Sequence, residues 1–252
     1  MFSFSRLVGI TLAIVTGMAL SSPVFAQTTV GGLTILAPGS VVEGRTIGEW
    51  TTEWWQWAFS QSTPNDAFSD TTGANAGVNQ SGPVWFVAGT LGTLETRTLF
   101  VPTDRYLLIP LINVENSDLE IPGASEADLR QASIDTMNLV DSLNLAINGT
   151  TVTNLNSYRE LSPAFSFSSA ANNPFGVTAG VANTAVADGF WVMLAPIGTG
   201  IHTVTFGGGV SSFGFSTGVQ ATLVAAPEPA PLGLLLAVIG GMGIVVRKRR
   251  IG

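Results

Sequence analysis

What most limits the folds open to this chain is the shortness of its apolar runs. Eight stretches rich in β-branched and aromatic residues cover 84–90, 96–101, 106–112, 143–147, 150–155, 190–195, 201–206 and 219–224, each only five to seven residues long. Runs of that length, bounded by Gly, Pro and Asn, read as strands, because a helix would need a longer apolar pattern with a period near 3.6. Asn148-Gly149, set between Ile147 and Thr150, is a two-residue hairpin signal, since a type I′ turn needs positive φ at both positions. Strands this numerous and this short predict a mainly β fold of two packed sheets. The segment 172–188, "NNPFGVTAGVANTAVAD", breaks the pattern and reads as a long irregular loop.

Two helical insertions interrupt the strands. Thr46-Ile47-Gly48-Glu49 has the form of a capping box, with Thr46 as N-cap and Glu49 at the third helical position. The helix it opens runs through "EWTTEWWQWAFS" to the stop at Pro64-Asn65. At about 100° per residue, Trp50, Trp54 and Trp57 fall on one face, which predicts core packing for all three. Trp55 points well away from that face and is the candidate for an exposed platform on which a ligand could stack. Ser125-Glu126-Ala127-Asp128 opens the second helix, expected to reach 140.

The two ends stand apart from this domain. Residues 1–26 carry one positive charge at Arg6, an apolar stretch over 7–20, and Val24-Phe25-Ala26 with small residues at −3 and −1. That is the layout of a secretory signal peptide cut after Ala26. At the other end, Pro227-Glu228-Pro229 precedes the uncharged run 231–246, which is followed by Arg247, Lys248, Arg249 and Arg250. Sixteen helical residues span roughly 24 Å, a little short of a hydrocarbon core of about 30 Å. The basic cluster is expected to stay cytoplasmic, leaving the rest of the chain outside.

The triplet, the short apolar run and the terminal basic cluster together resemble the PEP-CTERM sorting signal of Gram-negative bacteria, over 227–252. The resemblance implies export by the Sec machinery, residence in the inner membrane through one C-terminal transmembrane helix, and cleavage near the triplet by an exosortase. Delivery to the cell surface or the extracellular matrix would follow. The proline pair keeps the triplet extended and open to a processing enzyme.

Between these ends lies one exported domain, 27–226, long enough for a sizeable core. It holds five arginines, no lysine and sixteen acids, a net charge of −11. Such a surface repels phosphate backbones, which argues against a nucleic-acid partner. With no cysteine in the chain, disulfides, thiol nucleophiles and Cys-ligated metals are excluded, so the core holds by packing. The closing stretch "GFWVMLAPIGTGIHTVTFGG" and the alternation over 219–224 resemble the last strands of immunoglobulin-like secreted domains, an analogy at the level of fold. "WTTEWWQWAFS", "SGPVWFVAGT" and "LLIPLINVENS" are similar to a family of secreted bacterial and archaeal proteins without an established activity. The resulting expectation is an immunoglobulin-like β-sandwich with two helical insertions.

Chemical motifs are sparse. His202 is the single histidine and sits on a predicted strand, with no G-x-S-x-G elbow, P-loop or dinucleotide fingerprint elsewhere. Glu49 and Glu53, one turn apart beside tryptophans, are the weak acid/base pair of a glycan hydrolase. Asn113, Glu115, Asp118 and Glu120 offer oxygen ligands for calcium, without the glycine and spacing of a calcium loop. No catalytic residue, metal or cofactor is assigned. The reading is a non-enzymatic surface or matrix component, with exopolysaccharide as the partner; a secreted glycan hydrolase and a calcium-dependent adhesion module are the alternatives.

Overall fold

The computed structural model describes residues 27–228. The signal-peptide and transmembrane assignments, together with Pro229 and Arg247, Lys248, Arg249 and Arg250, lie outside the described residues. Among those described, no helix is long and apolar enough to cross a membrane.

The chain is mainly β. It opens with β1 (Thr28–Val30), β2 (Leu33–Ile35), β3 (Val41–Val42) and β4 (Arg45–Thr46), and then α1 (Ile47–Phe59). After β5 (Val84–Phe86), β6 (Leu94–Pro102) and β7 (Tyr106–Ser117) comes α2 (Glu126–Met137). The remainder is β8 (Ser142–Ile147), β9 (Thr150–Thr151), β10 (Arg159–Leu161), β11 (Phe165–Ser169), β12 (Gly180–Leu194), β13 (Gly200–Val210) and β14 (Phe215–Ala226). One sheet has the order β1-β2-β12-β7-β5, with β10 and β11 also pairing with β12. A second has the order β6-β14-β13-β8-β9, and β3-β4 is a separate ribbon. The β5-β7 and β6-β14 pairs are parallel and the rest antiparallel.

The two sheets share one apolar cluster, in which Leu107 and Ile109 of β7 and Val192 and Leu194 of β12 meet Leu145, Val204, Phe206 and Leu223. The alternate residues, Leu108 on β7 with Trp191 and Met193 on β12, face a second cluster built on α1. The first sheet is therefore covered on both faces. That is why β7 reads "YLLIPLI" as an unbroken apolar run instead of a polar/apolar alternation.

Both capping boxes form: Thr46 Oγ1 accepts from the Glu49 amide at 3.2 Å, and Ser125 Oγ from that of Asp128 at 3.3 Å. Asn148 and Gly149 have φ of 47° and 78°, as the hairpin turn requires. Four expectations need correction, the first being the strand over 84–90, which ends at Phe86. The second helix ends at Met137, three residues early, because Asp141 already pairs through its amide with Gly209 at the edge of β13. The strand begun at Thr150 stops at Thr151. The supposed loop over 172–188 is a strand from Gly180 onward. Its Ala182, Ala185 and Ala187 are buried in the cluster built on α1, where small side chains fit beneath the aromatic rings, while Val181 stays exposed.

Candidate functional site

Tryptophans 50, 54, 55 and 57 are all buried. This overturns the exposed stacking platform at Trp55, which is 6% exposed. Its ring meets that of Trp54 edge-on at 5.0 Å. It is covered further by Phe59, stacked on it at 5.5 Å, and Phe175 from the segment before β12, at 5.6 Å. Aromatic cover from a distant part of the chain has no local signal.

Three of these indoles are anchored. Trp50 Nε1 donates to Val42 O at 2.9 Å, Trp54 Nε1 to Val87 O at 2.9 Å and Trp57 Nε1 to Val78 O at 2.8 Å. Trp55 Nε1 has no protein partner, the one such case on α1. Trp85 and Trp191 also lack a partner, away from the site. Trp55 and Trp54 form part of the wall of a cavity of about 280 Å³ that opens to the surface. Phe59, Phe68 and Phe175 extend this aromatic wall, and the half-exposed Leu91 and Phe215 stand on the lining as well. Thr90 and Thr217 bind each other, Oγ1 to Oγ1 at 2.9 Å and Thr217 Oγ1 to Thr90 O at 3.0 Å, fixing the 89–91 segment against β14.

The polar groups come from β7 and the turn after it. Two glycines approach β7 closely at 112–113. A Cβ on Gly189 of β12 would lie 2.8 Å from Asn113 Cα and from Ile112 O, and one on Gly208 of β13 would lie 2.8 Å from Ile112 Cγ2. Asn113 and Glu115 both line the cavity, and Asn113 Nδ2 and Glu115 Oε1 have no protein partner. Glu115 is 7% exposed. Burial pushes its carboxyl up to about 9, helped by the charge of Glu120 and a hydrogen bond to it, and opposed by Ser117. Burial thus keeps Glu115 a carboxylic acid near neutral pH, and the neighbouring Glu120 accepts from Ser117 Oγ at 2.6 Å through Oε2. Glu115 and Glu120 are the titratable side chains of the lining, which holds no Lys, Arg or His.

Other candidates are dispersed. Glu49 Oε2 accepts from the Thr46 amide at 2.7 Å, a bond that holds its carboxyl below the ordinary range, opposite to what an acid catalyst needs. Glu53 pairs with Arg45 at the surface. Neither lines the cavity, so the Glu49/Glu53 pair is set aside as an acid/base site. The four oxygen ligands near 113–120 are split as well: Asp118 Oδ1 accepts from the Asn183 amide at 3.0 Å, while Glu115 is protonated. Among the described residues no three His, Cys, Asp or Glu side chains are grouped to hold a metal ion. His202 lies on β13 with Asn148 Nδ2 3.3 Å from its Nδ1. Of the sorting triplet, Pro227 and Glu228 are described and exposed. Glu228 pairs with Arg105 at 2.5 Å, and the Arg105 guanidinium lies 5.7 Å over the Trp85 ring.

The chain matches no protein-family model, no curated protein and no solved structure in the comparisons made with them.

Proposed function

We propose that this is an exported, non-enzymatic binding component of the cell surface or extracellular matrix. In this reading 1–26 directs Sec export, 231–246 holds the chain in the inner membrane, and an exosortase cuts near Pro227-Glu228-Pro229. The exported domain is an immunoglobulin-like sandwich whose partner is an exopolysaccharide. The observation that carries binding over catalysis is the cavity beside α1. Its buried polar groups lack protein partners, and of its two carboxyls Glu115 is buried and raised while Glu120 is exposed. The lining offers one buried carboxyl and no His, Lys or Arg, so no second buried acid stands opposite Glu115 for the two-carboxyl chemistry of a glycosidase.

Mass spectrometry of the C-terminus in an exosortase-bearing host tests the export reading. The wild type is expected to lose its final residues and leave the membrane fraction. Replacing Pro227, Glu228 and Pro229 with alanine is expected to keep the chain full length and bound. A surface-exposed wild type that still ends at Gly252 refutes the processing.

A further inference from the structure

The geometry points to a protonated amino sugar as the ligand of the cavity beside α1, with its ring against the Trp55 wall and its ammonium at Glu115 and Glu120. This rests on the binding reading above and names the ligand of the same cavity.

Size comes first. At about 280 Å³ the cavity sits at the lower end of small-molecule sites, which begin near 300 Å³, so one sugar ring enters it and any ring linked to that one stays outside its opening. The polar atoms narrow the chemistry. A purely apolar occupant would leave Trp55 Nε1, Asn113 Nδ2 and Glu115 Oε1 as they are, without partners. Each such buried group costs about 1–3 kcal/mol. An anionic occupant would meet Glu115 and Glu120 with no basic side chain to offset them. A neutral sugar supplies hydroxyls to the two free N–H donors, but leaves the charge on the carboxyl pair uncompensated.

An amino sugar meets all of these demands at once. Its hydroxyl oxygens accept from Trp55 and Asn113, its C–H face packs on the aromatic rings, and its ammonium donates to the carboxyl pair. The cation favours the ionised form of Glu115, so binding releases up to one proton from that carboxyl to solvent, leaving the ligand's own charge unchanged. Glu115 and Glu120 are the groups that titrate on the lining contributed by α1, β7, β14 and the joining segments. The net charge of −11 over 27–226 also draws cationic polymers toward the surface.

The test uses the full chain in lipid nanodiscs at about pH 6.5, with three probes read by calorimetry and tryptophan fluorescence. These are the β-1,4-linked glucosamine disaccharide, its di-N-acetyl form, and cellobiose, which carries hydroxyls in place of the amines. The diamine is expected to bind about tenfold or more tighter than the other two, the worth of a charge-assisted hydrogen bond. Heats in two buffers of different ionisation enthalpy are expected to show proton release. Glu115→Gln should bring the three probes to within about threefold of one another, while Glu43→Gln, at an exposed acid outside the cavity, keeps the preference. Equal binding of all three, or a preference for a neutral one, overturns the amino-sugar assignment and leaves the binding reading standing. A preference that survives Glu115→Gln, or no binding by any probe, also overturns it, and the C-terminal mass judges the export reading independently.

Discussion

Replacing Glu115 with glutamine should make this protein more stable at pH 8, and the structure sets the size of the gain. An ordinary glutamate titrates at 4.5, whereas burial and Glu120 push Glu115 up to about 9. Between those values the native state holds a proton that the unfolded chain has released. Stability therefore falls as pH rises, by up to about 1.4 kcal/mol per pH unit. Over the whole window the ceiling is about 6 kcal/mol; relaxation and water entry around a group near a cavity mouth reduce it to about 3 kcal/mol. Glutamine has the shape of the protonated acid, cannot ionise, and still offers an N–H to Glu120. The two proteins should match near pH 4.5 and diverge as pH rises, the variant leading at pH 8 by most of that difference. In a domain of this size that is roughly 6–12 °C in melting temperature. Glu160 is also raised by burial, against a hydrogen bond from the Gly39 amide, and tilts both proteins alike, so the comparison removes it. Thermal unfolding followed by tryptophan fluorescence at half-unit steps from pH 4.5 to 9 is the assay. Parallel profiles for the two proteins would refute a neutral, buried Glu115.

The other stability predictions concern pairs that look alike in sequence. Arg159 reaches Asp188 with Nε at 3.1 Å and Nη2 at 2.7 Å, and also donates to Ile134 O and Asn138 Oδ1 at the end of α2. Arg159→Met strands a carboxylate that is 1% exposed and should cost about 3–5 kcal/mol by urea denaturation; Asp188→Asn should cost less, because the Arg159 side chain is 29% exposed and regains water. Trp54→Phe removes the bond to Val87 O and should cost over 1 kcal/mol more than Trp55→Phe, which removes an N–H that had no protein partner. Equal losses for the two phenylalanine variants would sink the distinction between them.

Local chemistry was legible in the sequence and long-range cover was not. The Thr46 and Ser125 caps, the Asn148-Gly149 turn and the Trp50/Trp54/Trp57 face are written within a few consecutive residues, and each is found in the structure. The start of β12 was missed because Val181-Ala182-Asn183-Thr184-Ala185 lacks the bulky residues that mark strands. It pairs because β7 and β11 flank it, over 113–117 and 165–169. Glu115 stood out only as one oxygen among four. Its neutral state comes from two layers of side chains above and below β7, which no spacing rule encodes. The cavity itself joins α1, β7, β14 and Phe175, whose numbers run from 54 to 217.

The pattern of unmet hydrogen bonds along α1 argues that the cavity is more than a packing fault. Unpartnered buried atoms also occur elsewhere, at Trp85 and Trp191 among others, but α1 satisfies the indole N–H at positions 50, 54 and 57 with backbone carbonyls from three different segments. At 55 it leaves that group without a protein partner. The same wall carries Asn113 and Glu115, each with an unpartnered atom, and both stand on a strand that Gly189 and Gly208 approach closely at 112–113. A fold that merely tolerated a void would gain by lining it with apolar groups, since removing three unpaired polar atoms recovers about 1–3 kcal/mol apiece. Three such atoms around one opening, beside a raised carboxyl, cost stability at neutral pH and leave their bonds for an occupant of the cavity to complete.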